Sequence, residues 1–90
     1  MVIDPRLEDR HTSPIRRITE DGFRWRVLVE TWQESEAFHG RLLFRREVTD
    51  GVARDRETAP LLHGSSREDV LSLAYDFPED RLRRVLYSLG

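Results

Sequence analysis

The sequence predicts an α+β domain: an antiparallel β-meander of three or four strands, with two C-terminal helices packed on one face. Three observations predict it. Apolar residues alternate with period two over residues 23–32 and again over 38–48, the pattern of half-buried strands. Turn signals sit between and after these runs, at Glu34-Ser35-Glu36-Ala37 and at Asp50-Gly51. From Val70 onward the apolar spacing changes to three and four, the spacing of amphipathic helices. Ninety residues suit one small domain with a thin core.

Residues 1–13 have few apolar side chains and no sustained period. They read as a flexible N-terminal arm, which leaves 14–90 as a single small domain. Ile15 to Thr19, followed by Glu20-Asp21-Gly22, can add a fourth strand and its turn ahead of the meander. In the run from 23 to 32, Phe23, Trp25, Val27, Val29 and Thr31 share the face expected to meet the helices. Arg24, Arg26, Leu28, Glu30 and Trp32 share the other.

The run from 38 to 48 divides the same way. Phe38, Gly40, Leu42, Phe44, Arg46 and Val48 fall on the inner face, and His39, Arg41, Leu43, Arg45 and Glu47 on the outer. A four-residue loop sets Gln33 opposite Phe38. Val29 then meets Leu42, Val27 meets Phe44, and Phe23 meets Val48. On the outer face Leu28 meets Leu43, Glu30 meets Arg41 and Arg24 meets Glu47, while Arg26 is left facing Arg45. A shift of two residues would oppose Arg24 to Arg45, and directly opposed like charges are unfavourable.

Asp50-Gly51 predicts a tight turn into a polar edge strand over about Val52 to Thr58, which Pro60 ends. Ser65 and Glu68 have capping-box spacing ahead of a helix whose apolar positions are Val70, Leu73, Ala74 and Phe77. Pro78 in the first turn opens a second helix with the stripe Leu82, Val85, Leu86 and Leu89. Tyr75 and Tyr87 fall at its margins, and Glu79–Arg83 and Asp80–Arg84 stand at ion-pair spacing.

Charge is abundant and evenly mixed. Seventeen acids face fifteen bases, and no segment of the chain departs from neutrality by more than one charge. Strong nonspecific binding to nucleic acid through a whole basic segment is therefore not expected. Every basic residue is arginine. Their spread along the chain fits codon usage better than selection for phosphate recognition. The chain has no cysteine, which excludes disulfides and thiolate chemistry. It has no apolar run of membrane-spanning length and no signal-peptide pattern at Met1 to Pro5, so a cytoplasmic domain without a membrane partner is expected.

The outer sheet face offers the most informative side chains. Leu28, Trp32 and Leu43 are apolar on a face that otherwise reads as solvated, and they predict contact with a protein partner or a second copy of the chain. Trp32 with Arg26, His39, Arg41 and Arg45 could instead stack and clamp single-stranded nucleic acid or an anion. Cross-strand pairing with Glu30 and Glu47 explains the same arginines as structural.

His63-Gly64-Ser65-Ser66-Arg67 precedes a helix and could hold an anion, but Ser65 is more useful as a cap, and Glu68 and Asp69 repel negative charge. His11, His39 and His63 have no ligand partner at helical spacing, so no metal or cofactor site is predicted. No nucleophile motif is present, so no catalytic residue is predicted. The expectation is a noncatalytic protein-interaction module, with a nucleic-acid-binding accessory protein as the alternative.

Overall fold

The computed structural model describes residues 10–48 and 55–89. It has five antiparallel strands: β1 (His11–Glu20), β2 (Phe23–Glu34), β3 (Ala37–Arg46), β4 (Asp55–Glu57) and β5 (Leu62–Gly64). Two helices follow, α1 (Arg67–Tyr75) and α2 (Glu79–Leu89). Strands β1 to β4 lie in chain order, and β5 pairs with β3 beside β4. The α+β meander with two C-terminal helices is therefore the observed fold.

Two turns set the register. Asp21 and Gly22 join β1 to β2 with φ of 57° and 78°, the two positive values a type I′ turn needs. Between β2 and β3 the loop is tighter than expected. Glu34 pairs with Ala37, leaving a two-residue turn in which Ser35 has a φ of 59°. The pairing beyond it matches the sequence argument, with Gln33 opposite Phe38, Val29 opposite Leu42 and Leu28 opposite Leu43. The Asp50-Gly51 turn lies outside the described residues. The edge strand it was expected to begin is described over Asp55–Glu57, with Asp55 opposite Arg45.

Strand β1 begins at His11, inside the stretch expected to be an arm, and it shifts register between Pro14 and Arg16. The bulge and the proline interrupt its free edge, and side chains from the helices reach its carbonyls. The Tyr75 hydroxyl donates to the Pro14 carbonyl at 3.4 Å, and Arg83 Nε donates to that of Thr19 at 3.1 Å.

The core lies between the inner sheet face and the helices. It contains Ile18, Trp25, Val27, Val29, Leu42, Phe44, Leu62, Val70, Ala74, Phe77, Leu82 and Leu86. Leu73, expected to be apolar core, is exposed, and Leu71 packs against the core instead. Helix α1 approaches the sheet over two glycines. A Cβ at Gly40 would stand 2.5 Å from Val70 Cγ1, and one at Gly64 would stand 2.8 Å from Asp69 Cβ.

The α1 cap falls one residue later than the spacing suggested. Ser66 Oγ accepts the Asp69 N–H, while the Asp69 carboxylate accepts the Ser65 hydroxyl at 2.6 Å and the Ser65 N–H at 3.3 Å. These bonds, led by that from the Ser65 hydroxyl, lower the Asp69 pKa. Pro78 precedes α2, its carbonyl accepting the Leu82 N–H at 3.0 Å. Arg83 pairs with Glu79 as expected and also takes Asp80, which had been paired with Arg84.

Thr58 explains how β3 keeps its hydrogen bonds between β4 and β5. Its N–H donates to the Leu42 carbonyl, and its hydroxyl accepts the Leu42 N–H, both at 3.0 Å. The residue is buried, so this exchange satisfies a backbone group that water cannot reach.

Candidate functional site

The outer sheet face holds the residues that the sequence singled out for partner or nucleic-acid contact (Leu28, Trp32, Leu43, Arg26, His39, Arg41 and Arg45), and it is more closed than expected. Leu28, Leu43 and Trp32 keep only 7%, 6% and 5% of their surface in the single chain. The two leucines are opposite each other, with Pro14 and Glu57 as their neighbours on β1 and β4. Arg26, Glu30, Arg41 and Arg45 flank them along the strands. Arginines held by carboxylates cover apolar surface with their stems. The Arg10 guanidinium stacks 4.7 Å from the Trp32 ring centre. The apolar group is real, but it is not an open patch.

The arginines of this face are occupied. Glu30 accepts Arg10 Nη1 at 2.6 Å and Arg41 Nε at 2.9 Å, and Arg41 also reaches Glu57 at 3.3 Å. Glu47 stands against Arg24 as the register set it, its N–H donating to the Arg24 carbonyl at 2.9 Å. Its carboxylate, however, pairs with Arg17 at 3.0 Å and with Arg26 at 3.9 Å. Arg45 donates to both Asp55 oxygens, at 2.8 and 2.9 Å. Those hydrogen bonds lower the Asp55 pKa and raise that of Arg45. Arg26 and Arg45 do face each other, but Arg45 is held by Asp55 and Arg26 shares Glu47 with Arg17, which offsets part of the repulsion.

His39 and His63 come together. Strand β5 sets His63 opposite His39, with the two Nδ1 atoms 2.7 Å apart and the ring planes at 83°. His11 lies on β1 opposite Thr31. Arg67 turns the other way from His63. Its Nε donates to Thr31 Oγ1 at 3.1 Å, and its guanidinium lies over Phe38. The anion place expected at His63 and Arg67 is thus divided between the two sheet faces.

A groove of about 450 Å³ opens beside the β1–β2 turn and the last turn of α2. Buried Trp25 and Leu86 form its floor, and Phe23 and Tyr87, 48% and 81% exposed, form its walls. The Arg46 guanidinium stacks 4.6 Å from the Phe23 ring centre, and that of Arg56 stacks 4.9 Å from that of Trp25. Among the described residues neither arginine has a carboxylate at ion-pair distance. Glu20 and Asp21 stand at the rim.

Sequence reasoning did not single out Phe23, Arg46, Arg56 or Tyr87 as a site. The signal was the alternation itself, which places Arg46 on the apolar face of β3. A charge at such a position needs a partner, and here the partner is an aromatic ring. Comparisons with protein-family models, curated proteins and solved structures find no match to this chain. Among the described residues no helix is long and apolar enough to cross a membrane.

Proposed function

We propose that this domain is a noncatalytic protein-interaction module whose contact surface is the groove between Phe23 and Tyr87. Its ligand is a protein segment that carries a carboxylate next to an apolar side chain. The observation behind this reading is the pair of stacked guanidinium groups, Arg46 and Arg56, without carboxylates among the described residues. A guanidinium held over an aromatic ring and not engaged by a carboxylate has N–H groups to offer in a planar, two-pronged bond to one. Stacking also limits the rotamer freedom that binding would otherwise remove. The apolar floor and walls accept the neighbouring side chain, and the rim acids disfavour a partner with many negative charges.

The outer face supports the other readings less. A dimer built on Leu28, Trp32 and Leu43 would need those side chains in the open, and each is buried in the single chain. A nucleic-acid surface built on Arg26, Arg41 and Arg45 would have to displace three sets of ion pairs.

N-acetyl-leucine is the simplest probe, since it places a carboxylate beside an apolar side chain. N-acetyl-leucinamide is its uncharged control. In an NMR titration the acid should shift signals of Phe23, Trp25 and Tyr87, and the amide should do so more weakly. Arg46→Gln/Arg56→Gln should remove the difference between the probes. Equal response to both in the unaltered protein would count against the reading.

A further inference from the structure

We propose that His39 and His63 form a two-imidazole site for a divalent transition metal of the zinc, nickel or copper kind. The pairing of β5 with β3 places these residues opposite each other, although 24 positions separate them in the chain. Their Nδ1 atoms converge to 2.7 Å, and the ring centres are 5.0 Å apart. Two neutral imidazoles reach that distance when one Nδ1–H donates to the lone pair of the other. A metal ion takes the place of that bond once the donor ring moves its proton from Nδ1 to Nε2, which leaves both rings neutral with a lone pair on each Nδ1 facing the same small region.

The geometry allows the exchange. Zinc–nitrogen bonds are about 2.0–2.1 Å, so two imidazoles at a tetrahedral angle put their nitrogens about 3.3 Å apart. The rings must separate by roughly 0.6 Å from the hydrogen-bonded spacing. The rings also meet nearly head-on, so together they must swing by roughly 70° to open the tetrahedral angle, a movement that falls mainly to exposed His63 because His39 is half-buried. Among the described residues neither ring makes another hydrogen bond that would hold it back. Trp32 lies beside His39 at a centroid distance of 6.1 Å and limits rotation of that ring towards β2.

The donor set fixes the class of metal. Neutral imidazole suits zinc, nickel and copper, whereas calcium and magnesium require oxygen ligands. No group of three or more potential ligands occurs among the described residues, so water completes the coordination and the site is open. Its consequence is mechanical. Strand β5 has three residues and leads directly into α1, and a metal shared by His39 and His63 ties it to β3. Binding to the folded form alone raises stability by an amount that grows with the logarithm of the free metal concentration above the dissociation constant.

The test is a Ni²⁺ titration of the full chain, followed through the histidine ring signals, with His11 as an internal reference. His39 and His63 should broaden together at additions that leave His11 sharp, and Ni²⁺ should raise the melting temperature. His39→Gln and His63→Gln, which keep side-chain bulk, should each weaken binding at least tenfold and abolish the temperature shift. The Trp25 and Trp32 indole signals check that each variant is folded. Equal broadening of all three histidines would overturn the proposal. So would a single variant that retains the affinity, because one imidazole would then suffice.

Discussion

Gly40 is where the docking of α1 can be tested most sharply. The Gly40→Ala change adds one carbon on the inner face of β3, beneath a helix side chain that has no exposed surface. The new Cβ would stand 2.5 Å from Val70 Cγ1, with the Glu30 carbonyl oxygen and Leu62 Cβ each at 3.4 Å. Carbon atoms prefer a separation of about 3.5–4.0 Å, so Val70 must retreat by roughly 1 Å. Overpacking of this kind costs about 1–3 kcal/mol. Alanine recovers about 0.5–1 kcal/mol of the backbone penalty that glycine carries in a strand.

The net loss is then about 0–2.5 kcal/mol, with its centre at about 1.25 kcal/mol. In a domain of this size that lowers the melting temperature by roughly 5–10 °C. Thermal unfolding of Gly40→Ala, Val70→Ala and the double variant measures it. Val70→Ala removes the colliding methyl and is itself destabilising through the cavity it leaves. If close approach is the cause, the double variant loses at least about 1 kcal/mol less than the sum of the single changes. Additive losses, or a Gly40→Ala protein more stable than the original, would refute the reasoning.

Three further outcomes follow from the same structure. Thr58→Val keeps the shape but leaves the Leu42 N–H without its acceptor, and chemical denaturation should show a loss of about 1–3 kcal/mol. Ser35→Gly relieves a positive φ at a turn position that favours glycine, and the melting temperature should rise, reflecting a gain of about 0.5–1 kcal/mol. Asp55→Asn removes the two-pronged partner of Arg45, a surface pair worth about 0.5 kcal/mol. The folded-state pKa of Asp55 is lowered, so this contribution is present above the unfolded carboxylate value of about 3.9 and fades as pH falls through the lower folded value. Melting curves of the original and Asp55→Asn proteins should therefore differ at neutral pH and converge in strong acid.

Much of the fold was legible because local and cross-strand signals agreed. The alternation over β2 and β3, together with the opposition of Glu30 to Arg41, specifies the register that the folded chain adopts. Strand β5 was not legible. Three residues with a glycine and a nearby proline have no period, and only pairing with Phe38 to Gly40 makes them a strand. Missing β5 concealed the meeting of His39 with His63.

The outer face was legible only in part, for a different reason. Alternation assigns Leu28, Trp32 and Leu43 correctly to the side away from the helices, but it does not say how much of each is covered. The Arg10 guanidinium over Trp32 and the ion pairs that hold the neighbouring arginines are contacts only the folded structure sets. Arg46 shows the converse. Its place on the inner face was readable, and its stacking on Phe23 was not.

The two tryptophans separate the competing surfaces. Trp25 forms part of the groove floor, with its indole N–H donating to the Glu20 carbonyl at 3.4 Å, and Trp32 lies on the outer face beneath Arg10. Their two indole N–H signals can be followed during addition of N-acetyl-leucine, addition of a single-stranded oligonucleotide, and dilution of the protein alone. The groove account predicts that N-acetyl-leucine moves the Trp25 signal, while Trp32 stays fixed in all three experiments. A Trp32 signal that moves on dilution or with the oligonucleotide, with Trp25 unchanged throughout, would contradict it.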